Sequence, residues 1–246
     1  MPDTPLQGKV AVITGAGRGI GQAIAIAYAR AGAAVCCGAR TTAQLDATVK
    51  AITSSGGRAI GVATDVTDYA SVDSLFARAA TVFGGVDIVV AAAGVPGENK
   101  PVEESDPAAW TVAIDVNLTG SFHTAKAAIP RLRGRPGAKI ILVGSGMGHR
   151  GAPTRSAYAA SKAGLWMLTR VLAQEIAAGG ICVNELVPGP VVTAFIAGRE
   201  GQVRSGTGEL EWFKQPEDVA PLALFLACQP DKGPTGQSFS LARREL

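Results

Sequence analysis

From one end of the chain to the other, short apolar runs alternate with longer stretches of helical periodicity. The runs fall at residues 10–14, 34–38, 59–64, 88–92, 139–143, 182–187 and 238–241, and the helical stretches at 19–31, 42–54, 69–83, 106–131, 156–178 and 216–228. Repeated strand-then-helix units are the signature of a parallel sheet. Stretches such as 86–93 and 139–144 are apolar without alternation, as expected of strands covered by helices on both faces. Pro216, followed by Glu217 and Asp218, marks a helix start, because proline fits the first turn and acids oppose the dipole. No low-complexity linker and no internal repeat interrupts the alternation. The pattern predicts an α/β fold, a doubly wound, seven-stranded parallel sheet in a single domain over residues 1–246.

Composition narrows the function classes. With 246 residues, 47% apolar and 17% charged, the chain can bury a sizeable core and still leave apolar surface for a subunit interface. An oligomer is therefore expected. The net charge of +3 comes from 23 basic and 20 acidic residues spread without a Lys/Arg block, which argues against nucleic acid as a partner. Nowhere do 18 consecutive apolar residues occur, and the first residues are polar, so neither a membrane span nor a secretion signal is expected. Cys36, Cys37, Cys182 and Cys228 sit in apolar runs, at spacings that suit neither a metal nor a disulfide framework. Cys36 and Cys37, adjacent on a strand, would point to opposite faces. Reduced thiols, a cytoplasmic location and no metal are the expectations.

Two motifs carry chemistry. The first is Thr14-Gly15-Ala16-Gly17-Arg18-Gly19-Ile20-Gly21, lying between the first strand and the first helix. There Gly15 permits a tight turn, and the further glycines let the backbone approach a pyrophosphate seated on the helix N-terminus. A structural turn without a ligand is the plainer alternative. The second is Tyr158-x-x-x-Lys162, with Ser145 thirteen residues earlier. Positions i and i+4 share a helix face, so the phenol and the ammonium can enter one site. A nearby cation lowers a phenol's pKa and brings proton transfer towards neutral pH. Ser145 follows the fifth strand, at the carboxyl edge where parallel sheets bind ligands. Alone, such a tyrosine–lysine pair occurs by chance on many helices; joined to the glycine loop and the serine, it does not read as chance.

In combination, the TGxxxGxG spacing and the Ser–Tyr–Lys constellation resemble the short-chain dehydrogenase/reductase family, and among its members the 3-oxoacyl-carrier-protein reductases. The resemblance runs from Lys9 to about Ser240 and implies a Rossmann-type fold binding a nicotinamide dinucleotide. It implies a catalytic tetrad of Asn117, Ser145, Tyr158 and Lys162: proton transfer by the tyrosine, oxygen fixation by the serine, ribose binding and pKa lowering by the lysine, and a water-linked relay supported by the asparagine. It further assigns the cofactor to Gly15, Gly17, Arg18, Gly19, Ile20 and Gly21, with Asp65 and Val66 at the adenine and Gly94 allowing close approach. Pro188, Gly189, Val191 and Thr193, with the Val187 backbone, would clasp the carboxamide end, and Tyr158 and Lys162 would also touch the cofactor. Thr193 as a loop hydroxyl facing water is the alternative.

Cofactor choice turns on the end of the second strand, where a carboxylate would favour NAD by binding the ribose 2′-hydroxyl and repelling a 2′-phosphate. Ala39-Arg40 stands there instead, and Arg18 lies in the glycine loop, so NADP(H) is expected over NAD(H). Against this, Arg40 could stack on the adenine or face solvent. Two departures from the family stand out. Its Asn-Asn-Ala-Gly is Ala91-Ala92-Ala93-Gly94 here, and the C-terminal segment lacks Asp-Gly-Gly.

Residues 188–214, with five glycines and two prolines, read as a flap over the substrate, with an ordinary surface loop as the alternative. Its Phe195, Leu210, Trp212 and Phe213 hint at a hydrophobic carbonyl compound. His149 reads as either a substrate contact or a solvated side chain. Small residues on the 156–178 helix, with the 106–131 helix, imply by resemblance a homotetramer, or else a homodimer. The expected reaction interconverts a ketone and a secondary alcohol; an NAD-dependent sugar, polyol or alcohol dehydrogenase competes with it, as does a nucleotide-sensing protein on the same fold.

Overall fold

A computed structural model describes residues 4–196 and 211–243. Its strands are β1 (Val10–Thr14), β2 (Ala34–Ala39), β3 (Arg58–Ala63), β4 (Ile88–Ala91), β5 (Lys139–Val143), β6 (Cys182–Val187) and β7 (Ser238–Ser240). They form one parallel sheet in the order β3-β2-β1-β4-β5-β6-β7. The α-helices among the described residues are α1 (Gly19–Arg30), α2 (Thr42–Thr53), α3 (Tyr69–Phe83), α4 (Pro107–Ile114), α5 (Gly120–Leu132), α6 (Ser156–Ile176) and α7 (Ala220–Ala227). The expected Rossmann-type architecture is thus the one observed.

Alternation along the strands builds two cores. Ala11, Ile13, Val35 and Cys37 pack with Ile24, Tyr28 and Val219 on one face, whereas Val12, Cys36, Val89 and Ile140 pack with Leu75, Phe76 and Leu165 on the other. Cys36 and Cys37 do point to opposite faces, and all four cysteines are free. Burial pushes both of these thiols up to about 12, so they behave as apolar filler. The polar end of buried Tyr28 is satisfied by donating to the Ala223 carbonyl at 2.8 Å, which fastens α1 to α7. Because strand order reverses between β1 and β4, the loops after these two strands diverge and leave a crevice at their carboxyl ends.

Two helical stretches depart from the simple periodic reading. The expected helix over 106–131 is broken into α4 and α5 by a π-helical turn, Asp115–Thr119. The 216–228 helix opens as a 3-10 turn, Pro216–Asp218, in which Gln215 and Asp218 cap each other's backbone, before α7 begins. The polar start was legible; the extra residue per turn at 115–119 was not, because apolar periodicity is blind to a single inserted residue.

Candidate active site and cofactor cleft

The glycine loop is shaped by contacts no other residue would allow. Gly15 has φ +71°, and a Cβ there would lie 2.6 Å from the Ala93 nitrogen. At Gly21 a Cβ would meet the Gly15 carbonyl oxygen at 2.4 Å. The β1 turn, the first turn of α1 and the segment after β4 are therefore in main-chain contact. Arg18, the N-cap of α1, makes no side-chain cap, and the first turn holds no acid. Main-chain N–H groups and the positive end of the dipole thus face the crevice, the arrangement that receives a pyrophosphate.

The crevice is one continuous cleft of about 910 Å³, large enough for a dinucleotide and a small substrate. The cofactor residues expected from the sequence line it, from Gly15 to Thr193, except Val187, which is buried behind it. Arg18 and Arg40 are exposed at its rim, and Ala39 is the last residue of β2, so no acid stands at that strand end. Asp65 is turned inward on its own loop: its Oδ1 accepts from the Thr67 N–H at 2.9 Å and the Thr67 hydroxyl at 2.8 Å. These bonds, with a lesser contribution from Arg40, hold its carboxyl below the usual range. Val66 is wedged against α5, where a Cβ on Gly120 would lie 2.7 Å from its Cγ2.

On the far side of β4 the site is made of side chains. Ser145 follows β5, and its Oγ accepts from the Met147 N–H at 3.2 Å, starting the 3-10 turn Gly146–Gly148. Tyr158 and Lys162 occupy adjacent turns of α6. The Ser145 hydroxyl lies near enough to the Tyr158 phenol to act on its titration, and Lys162 Nζ lies 5.9 Å from the centre of the phenol ring. Buried Lys162 donates to the Val143 carbonyl at 2.7 Å. Burial lowers its pKa to about 8, opposed by the negative charge of Glu185. Burial raises the Tyr158 pKa, while the nearby Ser145 hydroxyl and the Arg155 guanidinium, 5.5 Å from the ring, pull it back. Serine, phenol and ammonium therefore converge at the cleft. The cation that acts on the phenol in this structure is Arg155, which the sequence did not single out.

Asn117 stands behind the wall instead of lining it. It is fully buried in the π turn, where Oδ1 accepts from the Val95 N–H at 2.8 Å and Nδ2 donates to the Val95 carbonyl and the Ser161 hydroxyl, both at 3.0 Å. It pins the segment after β4 from the side. That bracket bears on the Ala91-Ala92-Ala93-Gly94 departure: with no asparagine at those positions, the Ala92 N–H donates to the Thr14 carbonyl at 3.2 Å and Asn117 secures the next turn. The missing C-terminal Asp-Gly-Gly is likewise covered, since Leu241 N–H still donates to Val187 and Ser238 Oγ to Glu185.

His149 is neither a substrate contact nor a solvated side chain. Its side chain is 8% exposed, its Nε2 is 2.9 Å from Glu185 Oε2, and its ring packs 5.1 Å from that of Trp166. Glu185 itself was missed; an acid inside the apolar run of β6 was the available signal. The base of the expected flap is fixed, with Val191 bridged to Lys214 and the Val192 N–H donating to the Lys214 carbonyl at 2.8 Å. Thr193 lies with its methyl towards Gly19 and lines the cleft. Phe195 also lines it; Trp212 and Phe213 do not, and Leu210 lies outside the described residues.

A sequence profile of short chain dehydrogenases matches residues 9–202. The chain belongs to the short chain dehydrogenase family. This dehydrogenase is similar to cis-4-hydroxycyclohexanecarboxylate dehydrogenase of Sinomonas cyclohexanicum, 40% identical over 89% of each chain. It is also similar to a 3-oxoacyl-[acyl-carrier-protein] reductase of Synechocystis, 34% identical over 97% of each. Among solved structures, a Burkholderia cenocepacia short chain dehydrogenase in complex with NADP superposes with TM-score 0.89 at 30% identity, covering 96% of this chain and 97% of that one. Carveol dehydrogenase from Mycobacterium avium in complex with NAD superposes with TM-score 0.90 at 27% identity, covering 97% of each. The dehydrogenase is accordingly an NAD(P)-dependent oxidoreductase. No helix among its described residues is long and apolar enough to cross a membrane.

Proposed function

We propose that this dehydrogenase interconverts a ketone and a secondary alcohol, with NADP(H) preferred over NAD(H). The observation that carries the reading is the meeting of Tyr158 with Ser145 in the cleft, with Lys162 behind the phenol. In the reductive direction a bound nicotinamide supplies the hydride. Ser145 and Tyr158 hydroxyls hydrogen-bond the substrate oxygen, and Tyr158 gives it a proton as negative charge develops there. Lys162 and Arg155 favour the phenolate left behind. Asn117 holds the wall segment at Val95 in place, so its contribution is positioning. The glycine loop and Thr193 fit the pyrophosphate and carboxamide ends, and Asp65 and Val66 the adenine.

Arg18 and Arg40 at the rim, with Ala39 closing β2, support the NADP(H) preference, since two guanidiniums suit a 2′-phosphate. Val95, Met147 and Phe195 give the substrate end apolar walls, and Arg150 and Arg155 add positive charge there. These features suit a hydrophobic carbonyl compound bearing an anionic group, in keeping with the name of the Sinomonas relative. Four free cysteines support a reducing, cytoplasmic setting. Exposed Val112, Phe122, Met167 and Val171 on α4, α5 and α6 support assembly through those helices into a homotetramer. The test is turnover of a panel of ketones and secondary alcohols with NADPH or NADH. Turnover of cyclic hydroxy or keto acids with a clear NADPH advantage is expected; a strong NADH preference would remove the cofactor assignment, and no carbonyl turnover the reaction.

A further inference from the structure

Glu185 is the least expected side chain in the molecule. It sits in the middle of β6, fully buried, paired in register with Leu142 of β5. One carboxylate oxygen, Oε2, meets His149 Nε2 at 2.9 Å and accepts from the Ser238 hydroxyl. The other, Oε1, is buried without a hydrogen-bond partner. It presses against Gly144, where a Cβ would fall 1.8 Å from it. A buried carboxylate with an unsatisfied oxygen costs free energy, so its position calls for a return elsewhere.

The return lies one layer away. Gly144 separates Val143, whose carbonyl holds the Lys162 ammonium, from Ser145. His149 ends the 3-10 turn that Ser145 begins. At Gly148, inside that turn, a Cβ would lie 2.6 Å from the Lys162 carbonyl, so turn and helix α6 touch through main chain at the catalytic lysine itself. The carboxylate thus backs both sides of the site: directly against Gly144, and through His149 against the turn. We propose that Glu185 and His149 are positioning residues for the reaction, Glu185 as the buried support packed on Gly144 and joined to His149, and His149 as the anchor of the Ser145–Gly148 turn. The inference rests on the oxidoreductase reading only for its kinetic arm.

The elements packed against α6 carry the ionisable residues Glu185 in β6, His149 at the end of the turn after β5 and Asp115 in the π turn, and α6 itself carries Tyr158 and, at its N-cap, Arg155. Of these, Glu185 is the charge that acts on the lysine, and it opposes the effect of burial. Removing that negative charge lowers the Lys162 pKa further, so the ammonium is lost at lower pH.

Three variants test the pair: Glu185→Gln, which keeps the shape and removes the charge, His149→Ala, which removes the anchor, and His149→Gln, which returns a donor at similar reach. The first readout needs no substrate: NMR of lysine-labelled protein, with the Lys162 signal assigned by its loss in Lys162→Arg. We expect titration near pH 8 in the wild type and a lower midpoint in Glu185→Gln. The second readout is turnover, where His149→Ala should lose about tenfold or more in kcat with KM for cofactor little changed, and His149→Gln should recover most of it. An unchanged Lys162 midpoint together with unchanged kcat in a folded Glu185→Gln overturns the role of Glu185, and unchanged kcat in a folded His149→Ala overturns the anchor. Should Glu185→Gln not fold, the His149 pair decides the proposal by the rescue alone. Absent turnover in the wild type would break the oxidoreductase reading and leave the NMR arm standing.

Discussion

On the β1–β3 side of the cleft the ligand-facing surface is mostly main chain from one contiguous stretch, residues 14–21, with two arginines at the rim; on the β4–β6 side it is side chains gathered from three elements and a turn. Gly15 and Gly21 matter for what they lack. Ser145, Tyr158 and Lys162 matter for the groups they carry: Ser145 is held by the Met147 N–H and Lys162 by the Val143 carbonyl, and the Arg155 guanidinium lies 5.5 Å from the Tyr158 ring. The difference predicts that the glycine loop governs dinucleotide affinity, whereas Ser145 and Tyr158 govern turnover. A change on one side should tell in affinity for the dinucleotide, and a change on the other in kcat.

The sharpest way to break that division is Tyr158→Phe. Turnover should fall at least about a hundredfold, the scale of a lost general acid, while cofactor affinity measured by fluorescence titration stays within about twofold. Retained activity would remove the proton-transfer role. On the opposite side, Gly21→Ala drives a methyl into the Gly15 carbonyl. It should destabilise the fold by about 1–3 kcal/mol, as overpacking does, and weaken cofactor binding at least tenfold, one factor of ten being about 1.4 kcal/mol. Thermal melts with and without cofactor separate the two effects, and normal binding would deny the loop its pyrophosphate role.

Arg40→Asp places a carboxylate where β2 ends. Catalytic efficiency with NADPH should drop about tenfold or more and the NADPH/NADH ratio should invert, because the acid repels a 2′-phosphate and bonds a 2′-hydroxyl. An unchanged ratio would leave Arg18 as the sole discriminator or the preference unfounded. The smallest expected effect is that of pH. With the Lys162 pKa lowered to about 8 by burial, the ammonium is present below that pH and lost above it. The rate of carbonyl reduction should therefore fall as pH rises through about 8, whereas cofactor affinity on the glycine-loop side should vary less. A flat reductive profile from pH 7 to about 9 would show that the charge on Lys162 does not govern turnover.

The unequal legibility of the two sides has the same origin. The glycine loop was readable because its strand, turn and helix are consecutive, and the Ser145–Tyr158–Lys162 set because helical spacing brings two of its members together. Asn117 was readable as a residue of the site but not in its place: the π turn that swings it onto Val95 leaves no mark on the apolar period. His149 was misread on both of its alternatives, since the partner that decides its position, Glu185, is 36 residues away on another strand.

What the sequence by itself determined was the order of elements, the parallel sheet and the composition of the cleft, because each depends on periodicity or on groups within one or two turns of each other. What only the tertiary structure decided was which buried polar groups face one another: Asn117 with Val95, His149 with Glu185, Arg155 with Tyr158. Those pairings depend on strand order and register. Hydrogen bonds and charges act over a few ångströms, and sequence separation alone does not fix so short a distance.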